Sequence, residues 1–152
     1  MDDTRGVYPV SAAHADGIRA LSNEPDVAAA AGMKVALSAD EAAEYIATAV
    51  EASEEGKSYV FVLTDGADVS GVCRLIGVRG MPRLIVAIGS PYRGQGNGSF
   101  LVRHVLHFAF DTLKEDRVTA SGACLVLLAQ FGRINGNELT RQAWEAAQKT
   151  AS

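Results

Sequence analysis

The stretch Pro91–Phe100, PYRGQGNGSF, has glycines at three alternate positions, Gly94, Gly96 and Gly98. Glycine loses more backbone freedom on folding than any other residue, so such a cluster indicates a tight turn or a backbone that another group must approach closely. A strand-like run, RLIVAI, precedes it, and a helical pattern begins near Gly98. The first turn of a helix has N–H groups without intrahelical partners, and the helix dipole adds positive charge there. This arrangement predicts a site where main-chain N–H groups bind a phosphate or diphosphate.

Two common phosphate-binding patterns do not fit this stretch. A Walker A loop requires a lysine and then a serine or threonine after its last glycine, whereas Gly98 is followed directly by Ser99. A dinucleotide fingerprint, G-x-G-x-x-G, that began at Gly94 would need its third glycine at Ser99, and it belongs near the start of a parallel sheet. The pattern that fits is Arg93-x-x-Gly96-x-Gly98. A glycine-rich turn without a ligand is the structural alternative.

The composition is that of one ordinary soluble domain spanning residues 1–152. The formal net charge of −4 argues against nucleic-acid binding, which needs clustered Lys and Arg. No apolar run approaches the roughly 18 residues of a membrane span, and the start, MDDTRGVYPV, lacks the hydrophobic core of a signal peptide. Cys73 and Cys124 lie far apart in apolar segments, which indicates reduced thiols rather than a disulfide or a metal site. We therefore expect a cytoplasmic protein that binds no membrane and no metal.

Hydrophobic periodicity and turn residues indicate the elements that must position the glycine stretch. The first part of the chain predicts a short strand, VYPV, and three helices. The predicted helices are SAAHADGIRALS with Ser11 as N-cap, NEPDVAAAAG with Pro25 in its first turn, and SADEAAEYIATAVEASEEG with a capping box of Ser38 and Glu41.

The middle of the chain predicts three strands, SYVFVLT, VSGVCRLIGV and RLIVAI, joined by the turns DGAD and RGMP. After the glycine stretch we expect a helix over SFLVRHVLHFAFDTL, a short strand at RVTA and an apolar helix at GACLVLLAQF. Beyond Gly132, the turn INGN favours a strand in NELTRQAW, whereas local propensity favours a helix in ELTRQAWEAAQK, and both stay open. The order predicts a mixed α/β domain. Its central sheet is mostly antiparallel, with flanking helices and a strand–glycine loop–helix site.

The pattern Arg93-x-x-Gly96-x-Gly98 on a strand-to-helix turn resembles R/Q-x-x-G-x-G/A, the acyl-coenzyme A signature of the GNAT superfamily of N-acetyltransferases. The surrounding sequence strengthens the resemblance. IGSPYRGQGNG resembles the end of the family's fourth strand, HFAFDTLKEDRVTASG its next helix and strand, and SGACLVLLAQFGR the helix after them. LSNEPDVAAAAG and SADEAAEYI resemble the branch with the ribosomal-protein N-terminal acetyltransferases. The similarity extends from Val7 to Arg133.

The resemblance implies that the chain binds acetyl-CoA as co-substrate. The diphosphate is expected on main-chain N–H groups of the loop and first helical turn, and the pantetheine arm along RLIVAI, bonded to the backbone at Val86 and Ile88. Arg93 is a candidate charge partner of the diphosphate. Ser121, which stands where the family usually has Asn, is a further candidate coenzyme residue. The loop residues implied are Gly94, Gln95, Gly96, Asn97, Gly98 and Ser99.

The tyrosine with which many family members protonate the leaving thiolate is missing here, because Leu128 stands at its position. The ribosomal-protein branch often has a serine earlier on the same helix, and the matching position is Cys124. This thiol is the candidate catalytic group, although a small core residue is the interpretation we favour. Arg133 stands where the family has Phe. RLIVAI carries no carboxylate to act as general base, which leaves a water relay or an acceptor amine that arrives neutral.

Charged and histidine residues elsewhere have both a functional and a structural interpretation. Glu24, Asp26 and Glu44 lie in the region that shapes the acceptor site in this branch, where negative charge would suit a cationic amine. Solvated helix charges are the more common role for such residues. His104 and His107 have a metal-chelating spacing, but no third ligand is evident, which favours an exposed helix face.

Together these features predict an acetyl-CoA-dependent N-acetyltransferase. We expect a primary amine as acceptor, on a small molecule or at a protein N-terminus, and the resemblance implies that it attacks directly within a ternary complex. The alternative is a catalytically weak or inactive acyl-CoA-binding module of the same fold, which the missing Tyr, Ser121 and Arg133 keep open. A nucleotide-binding protein that uses the same anion site is a third hypothesis. A homodimer is compatible with the sequence, and Trp144 fits either a dimer interface or a wall of the acceptor pocket.

Overall fold

The structure of the chain is a computed structural model that describes residues 4–77 and 81–151. Its strands are β1 Arg5–Pro9, β2 Ser58–Asp65, β3 Asp68–Ile76, β4 Arg83–Ile88, β5 Arg117–Thr119 and β6 Glu138–Thr140. They form one sheet in the order β1-β2-β3-β4-β5-β6. The first four strands are antiparallel neighbours, β5 runs parallel to β4, and β6 is antiparallel to β5. The predicted mixed α/β class and the meander of β2, β3 and β4 are confirmed.

The α-helices of the described residues cover both faces of the sheet. They are α1 Ala15–Ser22, α2 Pro25–Ala31, α3 Ala39–Glu54, α4 Asn97–His107, α5 Gly122–Leu128 and α6 Arg141–Ala151. On one face α1, α2 and α3 surround a core that includes Ile18 and Val62. On the other face α4, α5 and α6 surround a second core that includes Leu101 and Leu128. The glycine stretch lies between β4 and α4, at the border of these two layers.

Helix boundaries differ from the predicted ones where short turns of another type extend the helices. A 3-10 turn, Ala12–His14, precedes α1, and a second one, Ala129–Phe131, follows α5. The helix predicted over SFLVRHVLHFAFDTL begins at Asn97, and its last turn, Phe108–Thr112, is π-helical. The capping box of Ser38 and Glu41 at the start of α3 is present. Val78, at the end of the second predicted strand of the meander, and Arg79 and Gly80 of the predicted turn RGMP lie outside the described residues.

The C-terminal segment contains both of the elements that its sequence left open. The turn INGN leads into β6, which pairs with β5, and the chain then continues directly into α6. Trp144 of α6 is 4% exposed, and its ring centroid lies 5.0 Å from that of Phe110. The indole therefore belongs to the chain's own core.

The feature that matters most for the site is a gap between β4 and β5. The two strands pair in register only at Arg83 and Thr119. β5 ends at Thr119 and the chain enters α5 at Gly122, whereas β4 continues to Ile88. The second half of β4 therefore has β3 on one side and, among the described residues, no strand on the other.

Candidate functional site

The glycine loop has a backbone that only glycine adopts without strain at two of its positions. Gly94 has a φ of 73° and Gly96 a φ of 79°, both in the left-handed region. A Cβ added at either position would have nothing within 4 Å. The absence of side chains there therefore leaves open space beside the loop, and Gly96 is also the residue that precedes the first turn of α4.

Main-chain N–H groups at the start of α4 are available for a ligand. The N–H of Phe100 bonds to the carbonyl of Gly96 at 3.0 Å and closes the first helical turn. The N–H groups of Asn97, Gly98 and Ser99 come before that bond, so the helix offers them no carbonyl. None of the residues that the structure describes accepts a hydrogen bond from them. This is the backbone arrangement that favours an anion.

A cleft of about 480 Å³ lies beside these N–H groups. Gly94, Gly96, Gly98 and neighbouring residues of the loop and of the first turn of α4 form one wall, and the opposite wall comes from α5. The α5 wall is apolar and consists of Ala123, Val126 and Leu127. Val126 is 68% exposed, so this wall offers apolar contact area to a ligand. The sequence analysis did not predict this wall. GACLVLL has apolar residues on every face of the helix, whereas packing on the core requires them on one face only, and this excess was a signal for the wall.

The third glycine of the loop has a packing role. A Cβ on Gly98 would lie 3.2 Å from Cδ1 of Leu127 on α5. Glycine at this position therefore lets α4 approach α5 closely, and this approach sets the width of the cleft.

Arg93 lines the cleft, but its charge is paired. Its Nη2 lies 2.7 Å from the carboxylate of Asp26 on α2, and its Nε donates to the carbonyl of Ile88 at 2.9 Å. The hydrogen bond from Arg93 holds the pKa of Asp26 below its usual value. Glu24 is in the same network, because its carboxylate accepts bonds from the N–H and the hydroxyl of Ser90. Asp26 of α2 and Glu24 at its N-cap, both considered for the acceptor side, thus contact Arg93 and Ser90 instead, while Glu44 is exposed on α3.

The open edge of β4 is partly covered by a thiol. The N–H of Gly89 bonds to Ser70 on β3, and backbone groups alternate along a strand, so those of Val86 and Ile88 face away from β3. The N–H of Val86 donates to Sγ of Cys124 at 3.4 Å, and that thiol donates to the carbonyl of Val86 at 3.9 Å. Cys124 is half-buried and packs against the core, and it also contacts the strand edge on which the pantetheine arm is expected.

The remaining candidate residues lie around the same cleft. Ser121 is exposed at the N-cap of α5, and its side chain makes no capping bond. The hydroxyl of Ser99 donates to Gln130 at 2.5 Å, and Gln95 donates to the carbonyl of Pro91 at 3.0 Å. Leu128 is fully buried. Of the implied coenzyme residues, the cleft is lined by Ile88, Arg93, Gly94, Gly96, Asn97, Gly98 and Ser99, and their role in binding stays a prediction.

Histidines do not form a cluster with other metal ligands in the part of the chain that the structure describes. His104 Nδ1 lies 3.0 Å from the carbonyl of Phe100, and His107 Nδ1 lies 3.0 Å from Asp111. Both rings are on the exposed side of α4. No helix of the described residues is both long and apolar enough to cross a membrane.

Comparison with protein families identifies the domain. The family profile described as "Acetyltransferase (GNAT) domain" matches residues 6–123. The chain belongs to the GNAT acetyltransferases. The matched region contains the glycine loop and the start of α5, and the predicted membership of the GNAT superfamily is confirmed. No curated protein matches the sequence.

Solved structures of GNAT enzymes share the fold of this GNAT domain. Spermidine N-acetyltransferase from Vibrio cholerae, in complex with CoA and spermine, superposes with a TM-score of 0.73 at 15% identity, over 95% of this chain and 99% of that one. Ribosomal-protein-S5-alanine acetyltransferase from Vibrio fischeri gives 0.70 at 13% identity, over 90% and 82%. The microcin C7 self-immunity acetyltransferase, in complex with acetyl-CoA and AMP, gives 0.66 at 11% identity, over 78% and 69%. At these identities the likeness establishes the fold.

Proposed function

We propose that this GNAT domain transfers the acetyl group of acetyl-CoA to a primary amine by direct attack in a ternary complex. The observation that carries the proposal is the set of N–H groups at Asn97, Gly98 and Ser99, which have no described partner and adjoin a cleft that two positive-φ glycines keep open. An anion is the ligand that such a surface favours, and a diphosphate offers several oxygens to it. The complexes of related folds with CoA or acetyl-CoA support this choice of ligand.

The coenzyme's other end is proposed to lie along β4. The gap between β4 and β5 leaves the backbone of Val86 and Ile88 without a strand partner, and an extended pantetheine arm can pair with this edge as an added strand would. The carbonyl of Ile88 accepts a bond from Nε of Arg93, which pairing at that oxygen would have to displace. Cys124 must then release the N–H of Val86. The apolar wall of Ala123 and Val126 supplies contact area beside the phosphates.

In the proposed reaction the acceptor nitrogen attacks the thioester carbonyl. A C–N bond forms, the C–S bond breaks, the nitrogen loses a proton and the coenzyme leaves as a thiolate that takes one up. The N–H of Val86 is placed to polarise the carbonyl once the thiol has moved. The thiol of Cys124 contacts this edge at Val86, and we propose it as the proton donor to the leaving sulfur.

The acceptor is proposed to be a small amine or a peptide N-terminus. The similar folds act on amines of both kinds, since one was solved with spermine and another is a ribosomal-protein acetyltransferase. Glu24 and Asp26 are already bonded to Ser90 and Arg93. Attraction of a polycation by these carboxylates is therefore weaker than their charge alone predicts, and a monoamine or peptide acceptor is favoured.

A thiol-release assay tests the proposal. Acetyl-CoA would be incubated with the protein and a panel of polyamines, aminoglycosides and peptides that begin with Ala or Ser, and free CoA thiol would be measured. Release that depends on one acceptor supports an enzyme. Coenzyme binding by calorimetry with no turnover across the panel supports the acyl-CoA-binding module. Absence of coenzyme binding contradicts both.

A further inference from the structure

Asn97, the first residue of α4, has a buried polar side chain that is 6% exposed. A buried amide needs partners for both its oxygen and its NH₂ group, since an unmade bond there costs stability. Both partners are present: Nδ2 donates to the carbonyl of Tyr92 at 2.9 Å, and Oδ1 accepts from Nη1 of Arg5 at 3.2 Å. The amide is therefore fixed from two sides.

Arg5 determines which way this amide faces. A guanidinium has only donors and a backbone carbonyl only accepts, so a flipped amide would place NH₂ against Arg5 and oxygen against Tyr92. Arg5 is itself held, with its Cζ 4.3 Å from the ring centroid of Phe100. Only one orientation of the Asn97 amide therefore allows both the hydrogen bond from Arg5 and the hydrogen bond to Tyr92.

We propose that Arg5 and the side chain of Asn97 are positioning residues that hold the glycine loop in its anion-binding shape before the coenzyme arrives. This inference rests on the proposed function. The bond between Asn97 and Tyr92 closes the segment that contains Gly94 and Gly96, whose backbones would otherwise sample many conformations. Because the segment is already ordered in the free protein, the binding of the coenzyme does not have to offset the entropy lost on ordering it.

The same bond also fixes a donor. The backbone N–H of Asn97 is one of the groups available to the diphosphate, so a change in its side-chain position displaces that N–H directly. A leucine would satisfy the burial of this position equally well, but it could not bond the carbonyl of Tyr92. Burial alone therefore does not explain an asparagine here.

The test compares coenzyme affinity with stability in four variants. Asn97→Asp keeps the size and the acceptor for Arg5, but it places an oxygen against the carbonyl of Tyr92. Arg5→Met removes the donor, Arg5→Lys keeps one, and Arg103→Met is the charge-matched control on the exposed side of α4. The dissociation constant for CoA would be measured by calorimetry, and the melting temperature without ligand by circular dichroism.

We expect Asn97→Asp and Arg5→Met to weaken CoA binding by about tenfold or more. The new carboxylate of Asn97→Asp also repels the diphosphate, so the positioning role is judged from Arg5→Met against its charge-matched control, Arg103→Met. Arg5→Lys should recover part of that loss, and Arg103→Met should stay within about twofold of wild type. Variants that melt earlier but bind CoA as tightly as wild type would overturn this inference alone. A wild-type chain that does not bind CoA would overturn the proposed function and this inference with it.

Discussion

Substituting Gly96 by valine tests the coenzyme loop where its backbone is most demanding. Gly96 has a φ of 79° and a ψ of 8°, a conformation that β-branched residues avoid. Because a Cβ there would have nothing within 4 Å, the folded chain has room for the side chain. The cost to folding is then the left-handed backbone, about 1–2 kcal/mol. For a chain of this length, that cost lowers the melting temperature by roughly 2–8 °C.

The effect of Gly96→Val on the coenzyme should be much larger than its effect on the fold. The open space beside Gly96 is where the diphosphate is proposed to lie, so the isopropyl group would occupy the position of the phosphate oxygens. In the wild type, CoA at one hundred times its dissociation constant should add about 2.7 kcal/mol of stability. That corresponds to a rise in melting temperature of roughly 5–11 °C. In Gly96→Val we expect no rise.

Gly136 provides the matched control. It also has a positive φ, 66°, and nothing within 4 Å of an added Cβ, but it lies in the turn before β6 and does not line the cleft. Gly136→Val should therefore lose a similar amount of stability and keep the full shift with CoA. The assay is thermal unfolding followed by fluorescence, with and without CoA. If Gly96→Val shows the same shift as Gly136→Val, the diphosphate does not bind at this loop.

Substitutions at three further positions test individual contacts. Asp26→Asn removes the partner of Arg93, so CoA should bind more tightly at low salt, and titrations at low and high ionic strength should show the gain disappear as salt screens it. Cys124→Ser should retain acetyl transfer and Cys124→Ala should lower kcat, because only serine keeps a proton donor; an unchanged kcat in the alanine variant would remove the thiol from the mechanism. The bonds from Lys34 and Ser38 lower the pKa of Glu41 to about 2. Its contribution to stability is therefore complete above its ordinary pKa and lost as the pH falls towards 2, so melting curves of Glu41→Gln should show a smaller loss over that range than wild type.

The elements of the fold could be predicted because they depend on local patterns. The β-rich run of β2, the turn DGAD and the capping box of α3 each involve residues a few positions apart, and the structure has all three. The segment after Gly132 was ambiguous for a physical reason, since three strand residues and a helix follow each other without a break. Its helical propensity dominates only after Thr140, where pairing with β5 ends.

The contacts that adjust the site could not be predicted, because their partners are far apart in the sequence. Asp26 and Arg93 are 67 residues apart, and Arg5 and Asn97 are 92 apart. Composition identifies such residues as charged or polar without indicating what they meet. The interpretation of Asp26 as a solvated charge agrees with the structure only in part. Its side chain is 67% exposed, but it also forms an ion pair with Arg93 of the glycine loop.

The thiol on the edge of β4 is compatible on energetic grounds with the proposed binding of the coenzyme arm and with the proposed proton transfer. Sulfur is a weak hydrogen-bond acceptor, and the contact between Val86 N–H and Cys124 Sγ is correspondingly long at 3.4 Å. An amide or thioester oxygen of the coenzyme would form a stronger bond with the same N–H, so exchange of sulfur for oxygen is favourable at this position. Cys124 therefore satisfies Val86 while the edge is empty without competing strongly when the coenzyme arrives. The displaced thiol then lies beside the coenzyme arm, where a proton donor for the leaving sulfur is needed.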